Sequence, residues 1–172
     1  MPSPPVTDLV QIRRLGEKKL DENLRFRAFL KSRNYPDRRF RRISEEIQDQ
    51  IDCRACANCC RVAATPISER DVERLAKYLR LRAQEFLERY TEVDPEDGER
   101  VLKRNGSGCI FLDGNDCTVY EVRPDNCVDF PHLVRGNGSI ASRMWQFVDR
   151  ASYCPIVYNA LESFKDEMRF RR

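Results

Sequence analysis

The strongest chemical signal in the sequence is a run of four cysteines, Cys53-Arg54-Ala55-Cys56-Ala57-Asn58-Cys59-Cys60. Three thiols recur at every third position and a fourth follows directly, so one short loop can turn three thiolates towards one metal centre. Bacterial ferredoxins use such a run together with a remote Cys-Pro, and Cys154-Pro155 suits that remote role. Structural zinc sites more often combine two C-x2–4-C units. The spacing favours a [4Fe–4S] cluster and leaves zinc as the alternative.

The other cysteines lie in separate parts of the sequence: in two turns, at a proline corner and in the C-terminal segment. That scatter is typical of a fold whose loops converge on metal. The candidate metal ligands are therefore all eight thiols: Cys53, Cys56, Cys59, Cys60, Cys109, Cys117, Cys127 and Cys154.

The adjacent thiols Cys59 and Cys60 raise a further question about the number of centres. In an extended backbone, neighbouring side chains point to opposite sides. One of the two is then expected to join the first centre, while the other faces a second site or the core. A buried cysteine without metal remains the alternative for Cys60.

The cysteine content also bears on the compartment. Reducing cytosol disfavours disulfides, so clustered cysteines there indicate metal binding or catalysis. The alternative is four disulfides in an exported protein, but the N-terminal residues show no basic segment followed by an apolar one. No stretch approaches the roughly 20 apolar residues of a membrane span. We expect a cytoplasmic protein that does not associate with membranes.

The net charge of +3 alone would suggest a nucleic-acid partner. Eight thiolates around two divalent centres would bring it to about −1. The run Arg38-Arg39-Phe40-Arg41-Arg42 is expected to be a solvated helix face rather than a nucleic-acid contact. A redox or protein partner, whose identity the residues leave open, is the expectation.

Few other residues indicate chemistry. Arg54, Arg61 and Arg123 are expected either to offset the negative charge of a thiolate centre or to be solvated. The single histidine, His132, is expected to be structural, with a Cys–His nucleophile pair as the lesser alternative. Neither a paired-carboxylate motif nor a Walker loop supports another reaction.

The pattern of apolar residues predicts an α+β fold that is predominantly helical. An N-terminal helical extension over residues 1–50 should precede a small cysteine-rich metal-binding domain over residues 51–172. A short β-hairpin or meander is expected between Arg100 and Val122. Further elements are predicted as follows: helices over Val6–Lys31, Arg38–Ile51, Ala83–Tyr90 and Tyr158–Phe170, a helix capped by Ser68, a break at Asn34-Tyr35-Pro36-Asp37, and a strand over Ser139–Val148.

The cysteine motifs resemble those of the CxxCxxCC family, also called the YkgJ family, of zinc- or iron-chelating domains. The first match is the run from Cys53 to Cys60. The second runs from Cys109 through Cys117 and the segment Tyr120-Glu121-Val122-Arg123-Pro124 to Cys127, before Phe130-Pro131. Together they span roughly residues 51–155. The chain departs from the family at Val128, where members often carry Arg or Lys.

The resemblance implies that all eight cysteines are metal ligands, and it leaves the metal open. Some family members are iron–sulfur oxidoreductases, which makes a redox or accessory role the leading expectation. A zinc-binding structural or metal-chelating module is the alternative. A third alternative is an enzyme similar to protein lysine N-methylases, because a flagellin lysine N-methylase is similar in its cysteine domain. That enzyme requires a methyl-donor site, which no residue of the sequence indicates.

Overall fold

The protein is described here from a computed structural model that covers residues 4–33, 37–136 and 138–170. Ten α-helices lie in these residues: α1 (Leu9–Lys18), α2 (Leu20–Lys31), α3 (Asp37–Gln48), α4 (Cys53–Cys56), α5 (Asn58–Val62), α6 (Glu69–Tyr78), α7 (Ala83–Tyr90), α8 (Asp125–Asp129), α9 (Ile140–Arg150) and α10 (Pro155–Glu167). A 3-10 turn covers Tyr120–Val122.

The strands are short and form hairpins with a neighbour in sequence, and Val101 also forms an isolated antiparallel bridge with Pro66. They are β1 (Thr91–Val93), β2 (Arg100–Leu102), β3 (Arg104–Asn105), β4 (Gly108–Cys109), β5 (Leu112–Asp113) and β6 (Asp116–Cys117). Three antiparallel two-stranded sheets join β1 to β2, β3 to β4 and β5 to β6. The predicted α+β class, predominantly helical, is confirmed, and of the predicted hairpin or meander the structure contains separate short hairpins.

The contacts within the chain divide it into two compact units. We call residues 1–52 together with 131–172 the helical unit, and residues 53–130 the cysteine unit. The sequence-based boundary at residue 50 stays a prediction about domains. The contact-based units differ from it by grouping residues 131–172 with the N-terminal helices. In the described residues, no helix is both long and apolar enough to cross a membrane.

Two helices, not one, occupy the N-terminal segment that was predicted as a single helix. Asp8 caps α1 by accepting a hydrogen bond from the backbone N–H of Gln11 at 2.7 Å. At Lys19 the backbone leaves the regular helix, with φ −95° and ψ 8°, and α2 begins at the next residue. The predicted break lies outside the described residues, apart from Asp37, which starts α3.

The predicted strand over Ser139–Val148 is wrong, because this segment forms α9. The side-chain oxygen of Ser139 accepts a hydrogen bond from the N–H of Ser142 and caps the helix. The buried residues of α9 follow a helical period of three and four: Ile140, Met144, Phe147 and Val148. The C-terminal helix α10 begins at Pro155, three residues before its predicted start, with proline in the first turn.

Aromatic side chains form the centre of the helical unit. Phe26, Phe40 and Phe164 are fully buried, and their rings meet edge to face, with centroids 5.6 Å apart for Phe26–Phe164 and 4.9 Å apart for Phe40–Phe164. The Phe147 ring stacks on that of Phe40. This aromatic core packs α2, α3, α9 and α10 together.

The helical unit also encloses a group of four charged side chains. Lys165 is fully buried, and its Nζ lies 2.5 Å from a carboxylate oxygen of Glu22 and 2.5 Å from one of Glu162. Lys19 forms a further ion pair with Glu162. Two positive and two negative side chains therefore balance inside the unit, as burial of charge requires.

The core of the cysteine unit is smaller. The helix start predicted at Ser68 is confirmed as a capping box, in which Ser68 and Asp71 satisfy each other's backbone N–H groups. The helix predicted over Ala83–Tyr90 is confirmed as α7. Helices α6 and α7 contact each other. Seven buried side chains form the core: Val72, Leu75, Ala76, Phe86, Leu102, Phe111 and Val119.

Candidate metal centre

The cysteine unit contains a cavity of about 290 Å³ with thiols in its wall. Six of the eight candidate ligands line it: Cys53, Cys59, Cys60, Cys109, Cys117 and Cys127. Cys56 lies on the same helical turn as Cys53 but does not line the cavity. Cys154 lies in the helical unit, where it is buried and directly precedes α10. All eight are thiols rather than disulfides.

Two short helical turns carry the cysteine run. Ala57 joins them in the left-handed region, with φ 48°, and is only 4% exposed. Cys59 and Cys60 both belong to α5, so the expectation that they point to opposite sides of an extended backbone is wrong. Neighbouring residues of a helix project about 100° apart, which allows both thiols to line the same cavity.

A glycine places the β3–β4 hairpin against α5. Gly108 has φ 129°, and a Cβ atom at this position would lie 2.5 Å from the Cys60 carbonyl oxygen and 2.8 Å from the Cα of Arg61. The backbones therefore approach as closely as only glycine permits. Cys109 follows directly, so this contact brings its thiol to the cavity beside Cys60.

Charged side chains position the segment that carries Cys127. The Arg74 guanidinium donates to the carbonyl oxygens of Val122 and Arg123, at 3.3 and 3.0 Å. The carboxylate of Asp71 accepts from the backbone N–H of Asp125 at 3.0 Å. Helix α6 thereby holds the start of α8, which carries Cys127 into the cavity wall.

The environment of the Cys60 thiol favours its ionised form. A hydrogen bond from Cys59 and the positive charges of Arg61 and Arg104 together lower the pKa of Cys60 to about 6, against the opposing effect of burial. Cys60 is therefore poised as a thiolate, the form that binds metal.

Three other thiols of the cavity, Cys109, Cys117 and Cys127, have raised pKa values instead. Burial, together with negative charge at Cys60 and Cys109, raises the pKa of Cys127 to about 12. Burial also raises the pKa values of Cys109 and Cys117. Cys60 and these three thiols line the same cavity, so that charge on any one of the four disfavours charge on the others.

Arginine side chains hold the loops around the cavity. Arg61 donates to the carbonyl oxygens of Cys56 and Gly114, at 3.0 and 2.9 Å, and so ties α4 to the β5–β6 turn. Arg104 donates to the Ala63 carbonyl oxygen at 2.5 Å. The role of Arg61 beside the thiols was predicted, whereas Arg104 and Gly108 were not singled out from the sequence. A signal for Gly108 was present, since it directly precedes Cys109.

Two further arginines line the cavity near its surface. The guanidinium carbons of Arg54 and Arg123 lie 4.8 and 3.9 Å from the centroid of the Tyr120 ring. Positive charge is therefore present at the cavity wall, as predicted for these two residues. His132 does not line the cavity, and its backbone carbonyl accepts a hydrogen bond from Arg143.

The donor chemistry of the cavity fits zinc or iron, because thiolates are the ligands that zinc and iron–sulfur clusters prefer. Within the described residues, no three Cys, His, Asp or Glu side chains are grouped so that they could hold a single metal ion. Six thiols instead line a common cavity, whose wall also includes apolar side chains such as Phe111 and Val119.

Comparison with known families agrees with this donor set. Residues 52–155, more than half of the chain, match the CxxCxxCC family model, described as a "putative zinc- or iron-chelating domain". The chain belongs to this family. The matched region contains all eight cysteines and confirms the predicted resemblance, and the family description supports metal binding.

One curated relative is a protein of Methanocaldococcus jannaschii named "Uncharacterized protein MJ0661". It is 36% identical over 86 residues, which cover 48% of this chain and 45% of that protein. The aligned part thus spans about half the length of this relative. No solved structure matches the chain.

Proposed function

We propose that the protein holds an iron–sulfur cluster of the [4Fe–4S] type in the cavity of the cysteine unit and serves a redox or accessory role. The four thiols of Cys60, Cys109, Cys117 and Cys127 would be its ligands. Four cysteine thiolates are the usual ligand set of such a cluster. When bound, the cluster would supply one-electron chemistry.

The observation that carries this proposal is the size of the space that the thiols surround. A single zinc ion requires its four donors about 2.3 Å away, so the sulfurs of a zinc site crowd together. Here, six thiols line a cavity of about 290 Å³, and no three ligand side chains in the described residues are grouped for one ion. An inorganic cluster brings its own iron and sulfide atoms, which suits this wider arrangement.

The residues around the cavity would serve the proposed group in two ways. Arg61 and Arg104 place positive charge near Cys60, which favours the more negative, reduced state of a cluster and raises its potential. Apolar side chains of the wall, among them Leu102 and Phe111, limit the access of water. The thiols would remain reduced in a cytoplasmic setting, which is where we place the protein.

The test is anaerobic purification followed by analysis of metal and acid-labile sulfide, with visible absorption spectroscopy. The proposal predicts a brown protein with iron and sulfide in equal amounts. Cys127→Ser should lose both the iron and the colour, because Cys127 is one of the four proposed ligands. A colourless protein with stoichiometric zinc would overturn the cluster proposal and favour the zinc module that the family description also names.

A further inference from the structure

Two of the eight cysteines, Cys53 and Cys56, are carried by a short and exposed element. Helix α4 is a single turn with no buried residue, and Cys53 itself is exposed. The four proposed cluster ligands lie elsewhere: Cys60 in α5, Cys109 and Cys117 at strand ends, and Cys127 in α8. The cysteine pattern in the sequence does not distinguish the eight thiols from one another. In the structure, the two thiols of α4 differ from the four proposed ligands by lying on an exposed turn.

The two thiols of α4 differ in whether they line the cavity. Cys53 lines the cavity and Cys56 does not. Positions three apart in a helical turn are neighbours on its surface. A C-x2-C pair of this kind is a common half of a tetrahedral metal site. The pair therefore has one thiol in the cavity wall and one thiol outside it.

Surface contacts hold α4 in place. The Asn115 side chain donates to the Ala55 carbonyl oxygen at 2.8 Å, and Arg61 donates to that of Cys56. The ion pair of Arg54 with Asp116 is 3.6 Å long and exposed on both sides, so it contributes little stability. The contacts of α4 are thus made at the protein surface, and the left-handed Ala57 follows the turn.

We propose that α4 is the metal-uptake site of the protein: Cys53 and Cys56 bind ferrous iron at the cavity mouth and pass it to the proposed cluster ligands. This inference rests on the proposed function. As iron binds, each thiol releases its proton to water and forms an iron–sulfur bond. These two bonds break when two of the proposed cluster ligands replace them, each passing its thiol proton to the departing Cys53 or Cys56 thiolate, and the iron stays ferrous during this exchange. Cys59 lies between the two sets in sequence and also lines the cavity.

The experiment compares uptake kinetics with final iron content in the full-length protein. Metal-free protein is loaded anaerobically with ferrous iron, an equal amount of ferric iron is added together with inorganic sulfide to match the oxidation level of a [4Fe–4S] cluster, and cluster formation is followed by absorbance. The double variant Cys53→Ser/Cys56→Ser should reach the wild-type iron content but at a rate lowered about tenfold or more, because a neighbouring bound ion acts at high effective concentration. Ala55→Ser, on the same exposed turn, should match the wild type in both.

Cys109→Ser serves as the opposite control and should lower the final iron content itself. The uptake role is overturned if the double variant loads at the wild-type rate. It is also overturned if the double variant loses as much iron as Cys109→Ser, since Cys53 and Cys56 would then be permanent ligands. A wild-type protein that takes up no iron would sink the proposed function as well, so the two failures are distinguishable.

Discussion

The helical unit and the cysteine unit differ in what stabilises them. In the helical unit, fully buried aromatic rings and a balanced group of buried charges join helices of ten to thirteen residues. The cysteine unit has a core of seven buried side chains and strands of two or three residues. Protein stability rises with the apolar surface that is buried, so the 78-residue cysteine unit lacks a source of stability that the helical unit has.

The two units also differ in charge. The helical unit has 19 basic and 13 acidic residues, whereas the cysteine unit has 12 basic and 15 acidic ones. The cysteine unit is thus negative even before any thiol ionises. The overall charge of +3 does not show this difference, because the excess of basic residues belongs to the helical unit alone. Bound metal would supply positive charge and cross-links to the cysteine unit, which has a net negative charge and the smaller apolar core.

Removal of metal should have the largest effect, and it should affect the two units unequally. Structural metal binding contributes about 10–16 kcal/mol in small zinc domains, more than the net stability of most domains. After chelation, the amides of α6 and β2 should lose protection from hydrogen exchange, while those of α2 and α10 keep theirs. Equal loss of protection in both units would contradict the claim that metal stabilises the cysteine unit more than the helical unit.

Lys165→Met should unfold the helical unit more easily and leave the metal content unchanged. The substitution leaves Glu22 and Glu162, whose side chains are only 15% and 17% exposed, without their shared cation. Breaking a buried charge group of this kind costs about 3–5 kcal/mol, measurable by denaturant titration. Lys18→Met, at an exposed position of the same unit, is the matched control and should change stability little. Loss of bound metal in Lys165→Met would show that the units are not independent in this respect.

Gly108→Ala should damage the cysteine unit through its backbone. The added methyl group meets the Cys60 carbonyl at 2.5 Å, at a φ of 129° that other residues rarely adopt. A cost of about 1–3 kcal/mol is expected, together with lower metal content by elemental analysis. Gly106→Ala is the control in the same hairpin, because a Cβ there has nothing within 4 Å. If both variants bind metal like the wild type, the close contact with α5 does not position Cys109.

The smallest expected effect concerns Asp71, which is 3% exposed. Burial raises its pKa, but hydrogen bonds from Ser68 and Asp125 and the charge of Arg74 outweigh burial and hold the pKa below the ordinary 3.8. The carboxylate therefore stabilises the fold above pH 3.8, and this contribution is lost as pH falls through the lowered pKa. Asp71→Asn should cost about 1–3 kcal/mol at neutral pH and little at very low pH.

The control for this carboxylate is Asp125→Asn, since Asp125 pairs with the same arginine but its side chain is 68% exposed. Its loss should cost less than about 1 kcal/mol in a thermal melt. An equal effect of the two substitutions, or an effect of Asp71→Asn that persists below its folded pKa, would show that the buried carboxylate does not stabilise α8 as described.

The sequence was most informative where the physical signal is local. Ser68 with Asp71 three residues later predicts a capped helix, and the structure contains it. The helical spacing of Ile140, Met144 and Phe147 is an equally local signal. The strand prediction for this segment did not use that spacing and was wrong. The division at Lys19 was not predicted, because the apolar residues Leu15, Leu20 and Leu24 continue across it.

The prediction of the metal site from the sequence was limited, because the site depends on contacts between distant segments. The types and spacing of the cysteines predicted thiol-based metal binding and the family. The set of thiols that share a cavity depends on contacts between distant segments, such as Gly108 with Cys60 and Arg74 with Arg123. The sequence could not separate Cys56 from its neighbours, because only the three-dimensional arrangement shows that it does not line the cavity.

X-ray absorption spectroscopy of the anaerobically purified protein, at the iron and zinc edges, tests the central claim most directly. The expected result is iron whose nearest neighbours are sulfur atoms, with further iron atoms in the second shell around it. Zinc with a single sulfur shell, or iron bound mainly by oxygen and nitrogen, would contradict it.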